Sequence, residues 1–327
     1  MNKKYCLSLL IALLASGCTE KMPLTSGIDL EGMDHNVRPQ DDFYEYANGG
    51  WLAATEIPAD EVGWGSYMTL RKESLEQSKA IVIEAAKKPG SDAGKAKIGD
   101  YYNAYMDVAR IEQLSTTPIA GDLAAIDKLA THSDIAGYFG RSNAMGVDAP
   151  FNLYVGQDDK DATSYAMFFI QSGLGLPDRD YYTDQSERGR LIIERYKAYI
   201  EELFAHNGEP NGAAAAERIF ALESKLAAAQ WSKVDNRDAD KVYNKYTRRE
   251  LAALLSNLDL DQFLKDIGAA ELDYAIVSQP SYMKELNMLF EQTDVATWKD
   301  YLRLQLTSSF APYLSSNYVD SHFEFYS

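Results

Sequence analysis

Apolar residues recur at helical spacing through most of this 327-residue chain, and between Phe151 and Gln171 the period changes from helical to alternating. That pattern constrains the fold more than any other feature, because a period near 3.6 buries one stripe of a helix and a period of two buries one face of a strand. Helices are predicted from Ser66 or Tyr67 to Lys88, stopped by Pro89-Gly90, and from Lys95 to Gln113. A third opens at Thr117-Pro118, and Ser133 caps a fourth. Further helices run from Asp184 to His206, Ala213 to Gln230, Arg248 to Leu258, Val295 to Ala311 and Asn317 onward. Thr247-Arg248-Arg249-Glu250 is a capping box, with the threonine over the third helical amide and the glutamate reaching back. Phe151, Leu153 and Val155 alternate, Asp158 to Asp161 makes a polar, solvated turn, and Tyr165 to Ile170 runs apolar again, which reads as a β-hairpin. Leu272 to Val277 fits a short strand. The expected fold class is mainly α, a multi-helix lobe with a small β-hairpin.

The first residues carry a different signal. Lys3 and Lys4 precede an apolar run, Leu7 to Leu14, too short to span a bilayer, and Ala15-Ser16-Gly17-Cys18 supplies small residues. This resembles a bacterial lipoprotein signal, cleaved before Cys18 and lipidated on it, although Ala15 stands where leucine is preferred. A plain secretory peptide cut nearby is the other reading. The predicted organisation is a signal peptide at 1–17, a polar tether at 18–40, and a folded body at 41–327. Two or three acyl chains would hold the protein on a membrane without spanning it. Of the two cysteines, Cys6 leaves with the signal and Cys18 is lipidated, so neither a disulfide nor a thiolate metal site is expected. Loss of Lys3 and Lys4 leaves 30 basic against 49 acidic residues, a balance that disfavours nucleic acid as a partner.

Motifs for chemistry are scarce. His35, His132, His206 and His322 stand far apart, so the one-turn pair of imidazoles with an intervening glutamate that a zinc-peptidase helix needs does not occur. There is no G-x-S-x-G. Gly173 to Pro177 follows the hairpin but runs into proline and charge, so it reads as a turn and not as a dinucleotide loop. Asp158 to Asp161 lacks the glycine and late glutamate of a calcium loop. Asp41 to Arg71 packs Phe43, Tyr44, Tyr46, Trp51, Trp64 and Tyr67 together, and the expectation from composition is that these rings anchor a segment over a core.

Resemblance adds what spacing does not. DDFYEYANGGWL with EIP and WGSYMTLR, then Gly173 to Tyr182, Asn236-Arg237-Asp238 with Val242 to Lys245, and Trp298 to Leu302 with Phe323 to Tyr326 resemble, in order, the start of the M13, neprilysin-like zinc metallopeptidases. The resemblance implies a two-lobed, mostly helical peptidase that encloses its active site. It implies that this chain is the N-terminal, non-catalytic lobe, with the catalytic C-terminal domain absent. Zinc would belong to the full-length enzyme, none being bound by this chain, and peptides would be its substrates. The other implied partners are its own catalytic domain and a membrane reached through the lipid. Location would be extracytoplasmic, on the periplasmic face or the surface of a bacterium. Whether the chain itself counts as an enzyme stays open, since H-E-x-x-H does not occur in it. In the family an R-Y-G-x-F-D-x-L-R pattern brings arginines to the primed-side pocket. Here Gly63 and Met68 replace two of its members, and Arg71 alone remains as a substrate-binding residue. A surface arginine paired with Glu73 or Glu76 is the second reading of Arg71. A non-catalytic helical surface lipoprotein that binds peptides or glycans is the second reading of the chain.

Overall fold

The computed structural model describes residues 26–88, 90 and 92–327; the expected signal sequence with Cys18, and Pro89 as a helix stop, lie outside them. The chain divides into two units at Gly99/Asp100.

The first unit is built on two helices, α1 (Phe43–Ala54) and α2 (Ser66–Lys87). Asp42 caps α1 by accepting the Glu45 amide, which satisfies one of the helix's orphan donors. Chain before Asp41 already packs on this helix: the Trp51 amide donates to Gly32 O at 3.0 Å and the Asp34 amide to Tyr46 O at 3.0 Å. The aromatic stretch does not anchor a core. Phe43, Tyr44 and Tyr67 are 69%, 65% and 76% exposed, and no ring of the stretch is fully buried. Near its end α2 meets the following helix at small residues, where Gly99 lies against the backbone of Ala85.

The second unit holds the hydrophobic core. It starts with the end of α3 (Ala93–Met106), followed by α4 (Val108–Leu114), α5 (Thr117–Lys128) and α6 (His132–Met145). The single helix expected from Lys95 to Gln113 is broken because Asp107 leaves helical geometry to cap α4, accepting the Arg110 amide. On this stretch Ile98, Tyr101, Tyr102, Tyr105 and Met106 recur at the spacing of a core stripe, yet Tyr101 and Tyr105 are exposed, and Tyr105 meets Tyr313 edge to face. The cap of α6 is Thr131 and not Ser133. Thr131 and Asp134 form the reciprocal box, because Thr131 lies at the extended position from which its hydroxyl reaches the third amide.

The hairpin is β1 (Phe151–Asp158) and β2 (Asp161–Gln171), with Phe151 opposite Gln171. It belongs to a larger mixed sheet ordered β1-β2-β4-β3, in which β4 (Tyr274–Val277) runs parallel to β2 and β3 (Lys245–Thr247) antiparallel to β4. Its turn is not simply solvated. Asp158 is buried and accepts the Lys160 amide and the hydroxyls of Tyr243 and Tyr274, at 2.9, 2.8 and 3.1 Å. The Lys160 amide and then the two phenols hold its carboxyl below the usual range.

The remaining helices are α7 (Glu187–His206), α8 (Gly212–Ala229), α9 (Arg248–Leu254), α10 (Leu260–Asp266), α11 (Pro280–Gln292), α12 (Val295–Phe310) and α13 (Ser316–Tyr326). The predicted capping box starts α9, which ends at Leu254, four residues before the expected limit, where Leu255 leaves helical geometry. Helix α12 is central. Trp298, Tyr301, Leu302 and Leu306 pack with α6, α11 and one face of the sheet, while Leu304 joins a second cluster with α7, α8 and α13. The molecule is mainly α, as expected; the hairpin becomes part of a small mixed sheet because β2 offers its second edge to β4, the strand expected from Leu272 to Val277. Among the described residues no helix is long and apolar enough to cross a membrane.

Candidate functional site

Where β2 ends, the chain turns through Gly173 to Pro177 into a short 3-10 helix, Arg179–Tyr182. The turn lies between the two core clusters, and its backbone is held by side chains from three helices and the 3-10 turn. Tyr301 of α12 donates to Gly173 O at 2.8 Å, and Tyr326 of α13 to Gly175 O at 3.0 Å. Gln230, at the end of α8, donates to Ser172 O at 2.9 Å. The Leu176 amide donates to the Tyr182 hydroxyl at 3.1 Å. Gly173 has φ +84, and a Cβ there would lie 2.2 Å from the Tyr301 hydroxyl. A Cβ on Gly175 would lie 1.9 Å from the Tyr196 hydroxyl. Close approach explains both glycines.

Under the turn sits Glu223 of α8, fully buried. The hydroxyls of Tyr196 and Tyr182 donate to its Oε2 at 2.7 and 2.8 Å, and Gln305 Nε2 approaches Oε1 at 3.3 Å. The Gly175 amide is a further donor. Burial pushes this carboxyl up to about 7 in spite of these hydrogen bonds, since no cation stands among its partners. Burial and the adjacent carboxylate likewise raise Tyr182 and Tyr196 above the ordinary phenol range. Glu223 occupies the apolar stripe of α8 with Ile219, Leu222 and Leu226. Sequence reasoning missed it, although a glutamate in register with a buried stripe was a visible signal.

Two hollows flank the turn. One, about 450 Å³, is lined by Asp148, Tyr196, Gln305, Ser308, His322 and Tyr326 among others. The other, about 260 Å³, has Arg179 and Lys233 at its side. Both of those cations are already matched, Lys233 to Asp178 at 3.0 Å and Arg179 to Asp180 at 3.7 Å.

The residues singled out in the sequence do not gather here. Arg71 is exposed on α2 of the first unit, and no ion pair to Glu73 or Glu76 forms; Glu76 pairs with Lys79 instead. The histidines are dispersed. His132 Nε2 meets Thr293 O at 2.8 Å, His206 Nε2 meets Ser321 Oγ at 3.0 Å, and His322 stacks on Tyr326 at 4.7 Å. Among the described residues no three His, Cys, Asp or Glu side chains come together to hold a metal ion. The residues present do not fit the zinc that the resemblance implies for the whole enzyme. The arrangement anchors a backbone turn and offers a cavity.

Comparison with known proteins gives the geometry a context. A family model described as peptidase family M13 matches residues 39–327. The chain is 28% identical over 321 residues to endothelin-converting enzyme 1 of Rattus norvegicus, which covers 92% of this chain and 41% of that protein. It is 28% identical over 325 residues to the Homo sapiens enzyme, covering 40% of it. The fold superimposes on the inhibitor-bound zinc metalloprotease Zmp1 of Mycobacterium tuberculosis with a TM-score of 0.81 and 35% identity, covering 93% of this chain and 47% of that one. It also matches PepO of Lactobacillus rhamnosis, with a TM-score of 0.68 at 18% identity, a likeness of fold alone. The chain thus spans less than half the length of these relatives. It belongs to peptidase family M13, as part of the family's N-terminal portion.

Proposed function

We propose that this chain forms the N-terminal, substrate-enclosing portion of a lipid-anchored, extracytoplasmic zinc metalloendopeptidase that hydrolyses peptides. The observation that carries the reading is the family match over residues 39–327 in a sequence without H-E-x-x-H. In this division of labour the second unit supplies a rigid wall, built on α12 and the buried Glu223 centre. Zinc, its ligands and the attacking water belong to a catalytic portion outside these residues. Arg71, exposed and without an ion-pair partner among the described residues, is free to meet a substrate carboxylate. The exposed rings of α1 and α2 are a surface for the catalytic portion to cover, since apolar area of this kind favours burial. Cys18 would carry the lipid.

The test is a comparison of the 327-residue chain alone with the protein that continues into an H-E-x-x-H segment. The longer protein should cleave peptides, lose activity to a chelator and regain it with zinc, and the chain alone should be inert. Zinc-dependent hydrolysis by the chain alone would overturn the reading. A Cys18→Ser form should leave the membrane fraction while keeping its activity; continued membrane association would remove the anchor.

A further inference from the structure

The larger of the two hollows beside the turn combines features that the peptidase reading does not use. Asp148 stands at its edge, where Oδ1 accepts Asn152 Nδ2 at 2.7 Å and Ser172 Oγ at 3.1 Å. Oδ2 has no hydrogen-bond donor among the described residues. The negative charge of Asp148 acts on Tyr301 and Tyr326 and helps to keep their hydroxyls protonated. Ring walls come from Tyr196, Tyr326 and His322, the last two 4.7 Å apart. Ser308 supplies a hydroxyl, already within 2.9 Å of Tyr199 Oη. No lysine or arginine lines the cavity, and burial lowers the pKa of His322, which keeps it neutral near pH 7. The buried carboxyl of Glu223 lies behind Tyr196 and Gln305.

An anion entering this space would meet Asp148 and find no cation. A neutral apolar group would offer the free oxygen of the exposed Asp148 carboxylate no donor. A primary ammonium group suits every part: Oδ2 of Asp148 accepts a hydrogen bond from one N–H, the aromatic walls attract its charge, and the hydroxyl accepts a second N–H. The volume, about 450 Å³, holds a residue or two in addition to the amine. We propose that this cavity, between Asp148 and the rings of Tyr326 and His322, is a binding site for a primary ammonium group, from a peptide N-terminus or a lysine side chain. The site lies wholly within the second unit and does not depend on the zinc chemistry of the proposed enzyme.

The test is calorimetric titration of the full chain near pH 7 with four probes. These are glycyl-phenylalanine amide, which presents an α-amine; Nα-acetyl-lysine amide, which presents an ε-amine; and the fully acetylated form of each. At least one free amine should bind, and its acetylated form should bind about tenfold more weakly or not at all, the loss expected for one charge-assisted contact. Which of the two amines binds decides the source. Asp148→Asn should produce a similar loss with an unchanged melting temperature, because Asn retains the contacts to Asn152 and Ser172. Tyr326→Phe removes a hydroxyl but keeps a ring face, and should bind within a few-fold of the parent. Equal binding of free and acetylated probes, no binding of either amine, or full affinity in a folded Asp148→Asn protein overturns the site.

Discussion

Glu223 concentrates in one side chain the cost of burying a charge and the means of reducing it. Its carboxyl pKa, raised to about 7 by burial, lies above its ordinary value, 4.5, in the unfolded chain. Between those values the folded state holds a proton that the unfolded state has released, so stability falls as pH rises through the window and is flat above it. The span corresponds to roughly 3 kcal/mol, the net of burial against the hydrogen bonds that favour the ionised form. His322, lowered by burial, works in the opposite sense, losing stability as pH falls below its unfolded value. The informative quantity is therefore the difference between the parent and Glu223→Gln in urea unfolding at pH 5 and pH 8. The parent should lose more stability on going to pH 8 than the variant does, and equal losses would place the titration elsewhere. Arg71 belongs at the same scale. An exposed helical arginine without an ion pair contributes little to stability, so Arg71→Ala should leave the melting temperature unchanged. In the complete enzyme the variant should show a raised KM for short peptides with a free C-terminus; an unchanged KM would remove Arg71 from the substrate site.

At the scale of the element, the Gly173–Pro177 turn is the piece whose conformation the surrounding helices overdetermine. Gly175→Ala forces the Tyr196 hydroxyl away from the position from which it donates to Glu223, which both strains the turn and strips a donor from a buried carboxyl. Overpacking and a lost buried hydrogen bond each cost about 1–3 kcal/mol, so the variant should melt several degrees lower. An unchanged melting temperature would mean that the turn is softer than its packing implies. The existence of these elements was legible wherever local physics decides them: the capping box at Thr247, the proline-led helix at Thr117, and the alternation from Phe151. Legibility failed where a partner distant in sequence decides. The strand Lys245–Thr247 has three residues and exists because β4 pairs with it. Helix α11 went unannounced although its apolar stripe, Tyr282, Met283, Leu286 and Phe290, is regular. Tyr101 and Tyr105 have the spacing of a buried stripe and are exposed, since periodicity says which side chains share a face and not whether anything covers it. Of the candidate site, the turn was recognised and its resemblance noted, but the carboxylate beneath it was not.

At the scale of the whole molecule the two units differ in what holds them. In the second, clusters around Trp298 and Tyr196 bury large side chains from helices far apart in sequence. In the first, Ala85 is the one buried hydrophobic residue among those described, while Leu70, Leu75 and Ile81 on α2 are each about three-fifths exposed. Fully burying such a side chain would contribute roughly 1.5–3 kcal/mol, and only a part of that is gained here, so α2 rests on helix propensity, the partly buried Val82 and Ile83, backbone contact at Gly99 and the Lys95–Glu84 ion pair. An exposed ion pair adds little. A 22-residue helix with so little tertiary support should open locally without the rest of the molecule unfolding. Native-state hydrogen exchange of the chain should therefore show α2 amides exchanging at least about a thousandfold faster than those of α12, a gap of roughly 4 kcal/mol in opening free energy. If the exposed apolar face of α2 is where the catalytic portion docks, the same amides should slow by a comparable factor in the longer protein while those of α12 stay as they were. Protection of α2 equal to that of α12 in the chain alone would show that the first unit has a source of stability other than the packing described above.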